Sequence, residues 1–238
     1  MKEDGLFFFT SKKVGKAIWD YKMIKDNDRI LVAVSGGKDS LSMLKILKER
    51  VKFVPQKYVI IACFVDMGFE WIDKEKLTEF FNSESIDFVI ATPPETWKGP
   101  KESFDCFWCS WNRRKALFDT AQRLNCTKIA LGHHMDDIIE TMMLNLFFNG
   151  EISTMRPYQE MFGGELAIIR PLAYVEEKNL EKLSSVLALP VIKSMCPNKD
   201  ISRRKKMKEI IREIELINPD VKKNIFRSLK RIKKEYLL

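Results

Sequence analysis

An apolar run without interruption, Ile30-Leu31-Val32-Ala33-Val34 after Arg29, ends abruptly in Ser35-Gly36-Gly37-Lys38-Asp39-Ser40. A helical pattern follows over Ser40–Glu49, with Leu41, Leu44 and Leu47 on one face. A strand that is apolar at every position is buried on both faces, which is the condition of a parallel sheet. Parallel strands need crossover helices, and the chain supplies them in alternation. Further strands are expected at Tyr58–Val65, Phe88–Ala91 and Lys128–Leu131, and helices at Ile72–Phe81, Trp111–Leu124 and Asp136–Phe148. Past Gly150, Gly163-Gly164 reads as a turn joining two extended stretches, the second being Leu166–Ile169. Helix Glu177–Leu187 and a short strand Val191-Ile192 are then expected to complete the sheet. The fold class is α/β: a doubly wound, mostly parallel sheet with a short helical C-terminal extension. That extension reads as helices Ser202–Ile217 and Asp220–Tyr236, broken at Asn218-Pro219. The expected division is an N-terminal segment 1–28, a catalytic domain 29–198 and a basic tail 199–238.

With 238 residues, 45% of them hydrophobic, the chain can bury one sizeable core. No apolar run nears the roughly 20 residues a membrane helix needs. Met1-Lys2-Glu3-Asp4-Gly5 lacks the positive start of an export signal, so a soluble, cytoplasmic protein with no membrane partner is expected. The +8 net charge is confined to residues 199–238, which hold 14 basic and 6 acidic residues; the remainder carries 27 of each. Such a tail is either a solvated helical face or a grip for a phosphate backbone. Five cysteines, an odd number, favour reduced thiols or metal ligands over a disulfide framework.

The Ser35–Ser40 string lies where a buried strand gives way to a helix N-terminus, a site suited to anions. Gly36 and Gly37 permit close backbone approach, Lys38 offers a point charge, and Ser35 and Ser40 offer hydroxyls. Asp39 is informative, because a carboxylate beside polyphosphate calls for a Mg²⁺ ion between them. The Gly-x4-Gly-Lys-Ser/Thr pattern of common NTPases is absent. Farther on, Leu131-Gly132-His133-His134-Met135-Asp136-Asp137 occupies another strand-to-helix turn, where Asp136 alone would make an unremarkable N-cap. Cys106-Phe107-Trp108-Cys109 falls in the polar loop before the Trp111 helix. Two thiols at that spacing can share a metal, form a redox pair, or stand together by chance. Cys63 and Cys126 read as small core residues.

Ser35–Ser40 resembles the PP-loop of ATP pyrophosphatases, which have a HUP-like fold and cleave ATP to AMP and pyrophosphate while adenylating a substrate. The Gly132–Asp137 string is similar to the Gly-His-x-x-Asp-Asp element of PP-loop enzymes that modify tRNA. The segment from Cys106 to Arg114 resembles the Cys-x-x-Cys-x3-Arg-Arg segment of the TtcA family and of the related TtuA group. Ile169-Arg170-Pro171-Leu172-Ala173-Tyr174 looks like the TtcA strand-and-turn of the same wording, so the likeness runs from about Arg29 to Cys196.

The resemblance implies ATP and Mg²⁺ at Ser35, Gly36, Gly37, Lys38, Asp39, Ser40, Asp66, Gly132, His133 and Asp136, with Lys38, Asp39 and Asp137 catalytic. It implies a 4Fe–4S cluster held by Cys106, Cys109 and Cys196, leaving one iron open to sulfide. The implied activity is tRNA thiolation, with 2-thiocytidine at position 32 as the TtcA product. The sulfur donor would be a cysteine desulfurase persulfide or free sulfide, and a homodimer is possible. Arg113, Arg114, Arg203, Arg204, Lys205 and Lys206 are the expected RNA contacts. A TtuA-like uridine thiolase and a ligase of the lysidine-synthetase type share the ATP chemistry. An ATP-binding sulfur carrier or sensor shares the loop without turnover, and a zinc-stabilised RNA-binding protein shares only the cysteines.

Overall fold

The computed structural model describes residues 3–95, 106–193, 195–196 and 203–236. Its strands are β1 (Arg29–Val34), β2 (Val59–Val65), β3 (Phe88–Ala91), β4 (Lys128–Ala130), β5 (Tyr158–Met161) and β6 (Leu166–Ile169). They form one sheet in the order β3-β2-β1-β4-β6-β5. Every pairing is parallel except that of β5 with β6, which the turn at Phe162–Gly164 makes antiparallel. The helices are α1 (Glu3–Asp20), α2 (Lys38–Val51), α3 (Lys74–Ser83), α4 (Cys106–Arg123), α5 (Met135–Leu144), α6 (Glu177–Val186), α7 (Arg203–Ile217) and α8 (Val221–Ser228).

The apolar run of β1 serves both faces of the sheet, as its composition requires. Ile30, Val32 and Val34 point into a core shared with Leu44 and Leu47 of α2 and Leu180 and Leu183 of α6. Leu31 points the other way, into a second core with Leu117 and Ala121 of α4. Each such buried leucine or isoleucine stabilises the fold by about 1.5–3 kcal/mol relative to exposure. Between β1 and β4 the chain order reverses, so the crevice beyond their C-terminal ends is the expected ligand position.

Several expectations are corrected. Residues 3–20 of the N-terminal segment are helical, and Leu6, Val14 and Ala17 of α1 join the first core. Val191-Ile192 does not enter the sheet; the Ile192 N–H instead donates to the Gly36 carbonyl at 2.9 Å, clasping the glycine loop. α4 begins at Cys106, so the cysteine pair stands on its first turns rather than in a loop. α5 ends at Leu144 and passes into a π-helical turn at Asn145–Asn149, instead of continuing to Phe148. The last helix stops at Ser228, and a 3₁₀ turn follows at Lys234–Tyr236. The 198/199 boundary and the Ser202 start of the tail helix lie outside the described residues.

The tail is docked. Met207, Ile211 and Val221 bury themselves against Met135, Ile139 and Met143 of α5. Ile214 and Leu216, which the helical pattern would equally offer to the core, remain exposed. Among the described residues no helix is long and apolar enough to cross a membrane.

Candidate active site

A cleft of about 370 Å³ opens at the β1/β4 reversal. The ends of β1 and β2, the loop at 35–40, the turn at 131–137 and one face of α4 line it. Two glycines set its geometry. Gly36 has φ +80°, a conformation that side chains rarely adopt. A Cβ on Gly132 would stand 3.2 Å from the Ser40 backbone, so only glycine lets the α2 N-terminus approach the end of β4 this closely.

The loop is stitched internally. Ser40 Oγ donates to the Gly37 carbonyl at 2.9 Å and accepts from the Ser35 N–H at 3.1 Å. Gly37, the N-cap of α2, brings no side-chain acceptor to the first-turn N–H groups. Those donors and the positive end of the helix dipole therefore face an incoming anion.

Lys38 and Asp39 point in different directions. Lys38 Nζ turns to α6, 3.1 Å from Glu177 Oε1 and 4.0 Å from Glu181 Oε1, and also reaches Asp39 Oδ2 at 3.4 Å. Burial opposes its charge, but these carboxylates outweigh burial and raise its pKa. Burial likewise raises the Asp39 carboxyl, and Asp137 adds to the rise, while His134 and Lys38 oppose it. Asp39 Oδ1 is buried without a hydrogen-bond partner, an arrangement that suits a cation.

α5 starts with a capping box: the Asp137 carboxylate accepts the His134 N–H at 3.0 Å, and His134 Nδ1 accepts the Asp137 N–H at 3.4 Å. His134 Nε2 also lies 4.0 Å from Asp39 Oδ2, so this histidine bridges the loop and the turn. His133 Nδ1 accepts from Arg170 Nε at 3.3 Å, which leaves the Nε2 proton to be donated. Burial holds His133 neutral, with its pKa lowered to about 4. Arg170, buried and pushed down to about 10 mainly by burial, also donates to the Arg156 carbonyl.

The remaining expected residues separate into those at the cleft and those behind it. Ser35, Gly37, Asp39, Ser40, Arg113, Arg114, Gly132, His133 and Asp137 line it. Asp66 stands at the end of β2 between the cleft residues Val65 and Met67, accepting from Lys74 at 2.7 Å and from the Gly68 N–H at 3.0 Å. Asp136 is turned away from the cleft: its carboxylate accepts the Glu177 N–H at 2.7 Å and pairs with Lys222 at 3.1 Å. Of the tail residues, Arg204 reaches Asp137 Oδ1 at 3.4 Å and Thr141 Oγ1 at 3.1 Å. Arg203 lies over the Phe148 ring at 4.8 Å, and Lys206 pairs with Glu209 at 3.3 Å.

Sequence reasoning missed the partners behind the cleft. Glu177 receives both Lys38 and Lys208, which together outweigh its burial and hold its pKa at about 2. Glu177, Lys208 and Lys222 carried no motif of their own; His134 and Arg170 stood inside motif strings whose wording did not give their partners.

Cys106 is exposed, Cys109 buried and Cys196 in between; Cys63 and Cys126 are buried in the core. Burial pushes the Cys109 thiol up, Arg113 opposes the rise, and Cys196 and Cys106 add to it. Those three thiols therefore share one neighbourhood. Among the described residues no three His, Cys, Asp or Glu side chains are gathered at metal-ligand geometry.

The fold and the loop define a class before any finer name. The PP-loop domain model matches residues 10–192, and the chain belongs to that family. Within it, the chain groups with proteins named tRNA-cytidine(32) 2-sulfurtransferase. The one from Geotalea uraniireducens is 39% identical, covering 99% of this chain and 96% of its own length. That from Geobacter sulfurreducens is 36% identical, with 94% and 90% covered. Among solved structures, the U34-tRNA thiolase NcsA from Methanococcus maripaludis, described with its 4Fe–4S cluster, superimposes with a TM-score of 0.80 at 26% identity. That match covers 99% of this chain and 81% of the thiolase.

Proposed function

We propose that the protein is an ATP-dependent tRNA sulfurtransferase that activates the C2 oxygen of a pyrimidine and replaces it with sulfur, forming 2-thiocytidine at position 32. One observation carries this reading: a single sheet edge brings together the anion-ready α2 N-terminus, the Asp39–Asp137 carboxylates, and the helix bearing Cys106 and Cys109. The 39% identity to a named 2-sulfurtransferase supports it over the ligase and carrier readings.

ATP would lie with its phosphates on the loop at 35–40 and its adenosine toward the ends of β1 and β2. Asp39 and Asp137 would hold Mg²⁺, which is commonly bound by one or two carboxylates plus substrate phosphates. The partnerless Asp39 Oδ1 fits that role. The base oxygen attacks the α-phosphorus, forming a C–O–P bond as the bond to pyrophosphate breaks. His133, neutral and carrying a proton on Nε2, can donate to phosphate oxygen. Sulfide then adds at C2, and AMP leaves with the original oxygen. Positioning and charge neutralisation carry most of such phosphoryl chemistry.

Cys106, Cys109 and Cys196 would hold the 4Fe–4S cluster; thiolates are the ligands such clusters take, and three of them leave one iron free of protein ligands. When bound, that cluster would supply the point of sulfide delivery; free sulfide arrives at the oxidation level of the product, whereas a desulfurase persulfide would deliver sulfide only with two electrons from an external thiol reductant. The outward basic residues of 203–236 would grip the RNA backbone, making 199–238 a tail with a task of its own.

The test is nucleoside mass spectrometry of tRNA incubated anaerobically with the protein, ATP, Mg²⁺ and sulfide, together with pyrophosphate release. 2-Thiocytidine formed in step with pyrophosphate is the expected result. ATP cleavage that depends on tRNA and yields no thionucleoside would overturn it. The structural likeness to a U34-tRNA thiolase favours a uridine target as second reading, and the same spectra separate 2-thiouridine from 2-thiocytidine.

A further inference from the structure

Trp108 and Trp111 lie three residues apart on the first turns of α4, their rings stacked at 5.1 Å between centroids and 2° from parallel. Each stays 42% exposed, although indoles are usually well covered in a folded domain. The Lys115 ammonium lies 5.9 Å from the Trp111 ring, extending the stripe with a cation. Ser110, Arg113, Arg114 and Leu117 of the same helix line the cleft. At 3.6 residues per turn, the tryptophan stripe lies about two fifths of a turn from that cleft face. Cys106 and Cys109 belong to the same turns.

We propose that Trp108 and Trp111 form a stacking platform for an unpaired nucleobase of the RNA substrate, next to the nucleotide that enters the cleft. The proposal rests on the reading of the cleft as a tRNA-modifying site and names the part of the substrate this wall would meet. Anticodon-loop bases are available unpaired, and single-stranded RNA is recognised largely by stacking on aromatic faces. Charge complementarity chooses the occupant: Lys115 stands at the Trp111 ring, and Arg113 and Arg114 of the same helix line the adjoining cleft, so cations are available to the phosphates of a base stacked here and of the nucleotide next to it. A parallel indole pair offers a face to any base. It would therefore add affinity and hold the loop open, while the cleft selects the target.

The test compares the full-length wild type with the pairs Trp108→Leu/Trp111→Leu and Trp108→Phe/Trp111→Phe. RNA Kd is measured by the fluorescence anisotropy of a dye-labelled, short single-stranded anticodon-loop RNA, indole quenching is followed in the wild type, and KM is measured for tRNA and for ATP in the thiolation assay. The leucine pair should raise the RNA Kd and the tRNA KM by about 10- to 100-fold. The phenylalanine pair, which keeps an aromatic face, should stay within about threefold of wild type. Neither should move the KM for ATP. Equal losses in both pairs with a lowered melting temperature would reduce the tryptophans to helix packing and overturn the platform. An unchanged tRNA KM in the leucine pair would overturn it as well, as would loss of self-association as the only effect. Quenching by RNA without any thionucleoside product would instead sink the proposed function and leave the platform standing.

Discussion

The two walls of the cleft are held in different ways. On the wall made by α2, α5 and α6, charge is answered by charge from within the protein. Lys38 meets Glu177, Asp136 meets Lys222, and Asp137 meets the His134 N–H and Arg204. The α4 wall turns its chemistry outward, with Cys106 and Phe107 exposed and the Trp108–Trp111 pair nearly half so. A satisfied buried network fixes geometry, whereas an exposed helix turn takes its surroundings from what binds there. Substitutions on the first wall should therefore move stability and activity together. On the second they should move activity almost alone.

The largest expected effect lies on the outward wall. Alanine at Cys106, Cys109 or Cys196 should abolish thiolation and the brown colour of anaerobic protein while leaving ATP binding in place. Cys106 is exposed, so its loss should leave the melting temperature unchanged within error. Cys63→Ala and Cys126→Ala should keep the colour and instead carry a core-cavity cost of about 1–3 kcal/mol. A chromophore that survives without Cys196 would place the third ligand elsewhere.

Next comes Asp39→Asn on the inner wall, where activity and stability should both move, in opposite directions. Burial and Asp137 raise the Asp39 carboxyl, so its ionised form is held at a cost in the free protein. The amide should lower kcat by about 100-fold, the scale of losing one group that stabilises developing charge. It should also raise the melting temperature slightly at neutral pH. A variant with wild-type AMP release would remove this carboxylate from the mechanism.

The four strands that position the site were legible because continuous apolar runs between turn residues admit few other readings. The loop at 35–40 and the turn at 131–137 were legible because glycine, hydroxyl and carboxylate types carry their chemistry locally. What escaped were pairings across long stretches of chain. Lys38 and Glu177 are 139 residues apart, and Asp137 and Arg204 are 67 apart; no local pattern ties either pair. α1 escaped too, since its apolar residues Leu6, Val14 and Ala17 form too sparse a stripe to stand out from Phe7, Phe8 and Phe9 around them. The tail's helices were read from the pattern but its role from charge, and charge does not say which basic residues face inward.

That division of the tail sharpens the comparison at the next smaller scale. Arg204 lies on the inner side, against Asp137 and Thr141, whereas Arg203 and Lys206 are partnered at the surface. Changing Arg203, Lys205 and Lys206 to Glu should weaken tRNA binding about tenfold with little change in melting temperature. Each lost phosphate contact should lower the log–log salt slope by roughly 0.7–0.9. Arg204→Glu should instead set a third carboxylate beside Asp137 and Glu140, and so lower both melting temperature and ATP turnover. Identical behaviour of the two variants would erase the distinction between inner and outer tail.

The smallest effect concerns Glu140, one turn beyond Asp137 on α5 and 5% exposed. Burial, then repulsion from Asp137, raises its pKa from the ordinary 4.5 to about 7, with Arg204, Lys208 and His134 opposing the rise. Arg204 Nε lies 3.7 Å from Glu140 Oε2, and this ion pair does not outweigh the burial. The folded protein thus holds the Glu140 proton more tightly than the unfolded chain does. The stability this contributes is complete below about pH 4.5 and is lost as pH rises through about 7. Glu140→Gln cannot ionise, so it escapes that loss. Its melting temperature should match wild type near pH 5 and exceed it by about 2–4 °C at pH 8. Subtracting the wild-type curve at each pH removes the parallel contribution of Asp39, whose surroundings the substitution leaves alone. A variant less stable than wild type at pH 8 would mean that the Arg204 pair outweighs the burial cost. The inner wall would then draw net stability from a charge that its burial opposes.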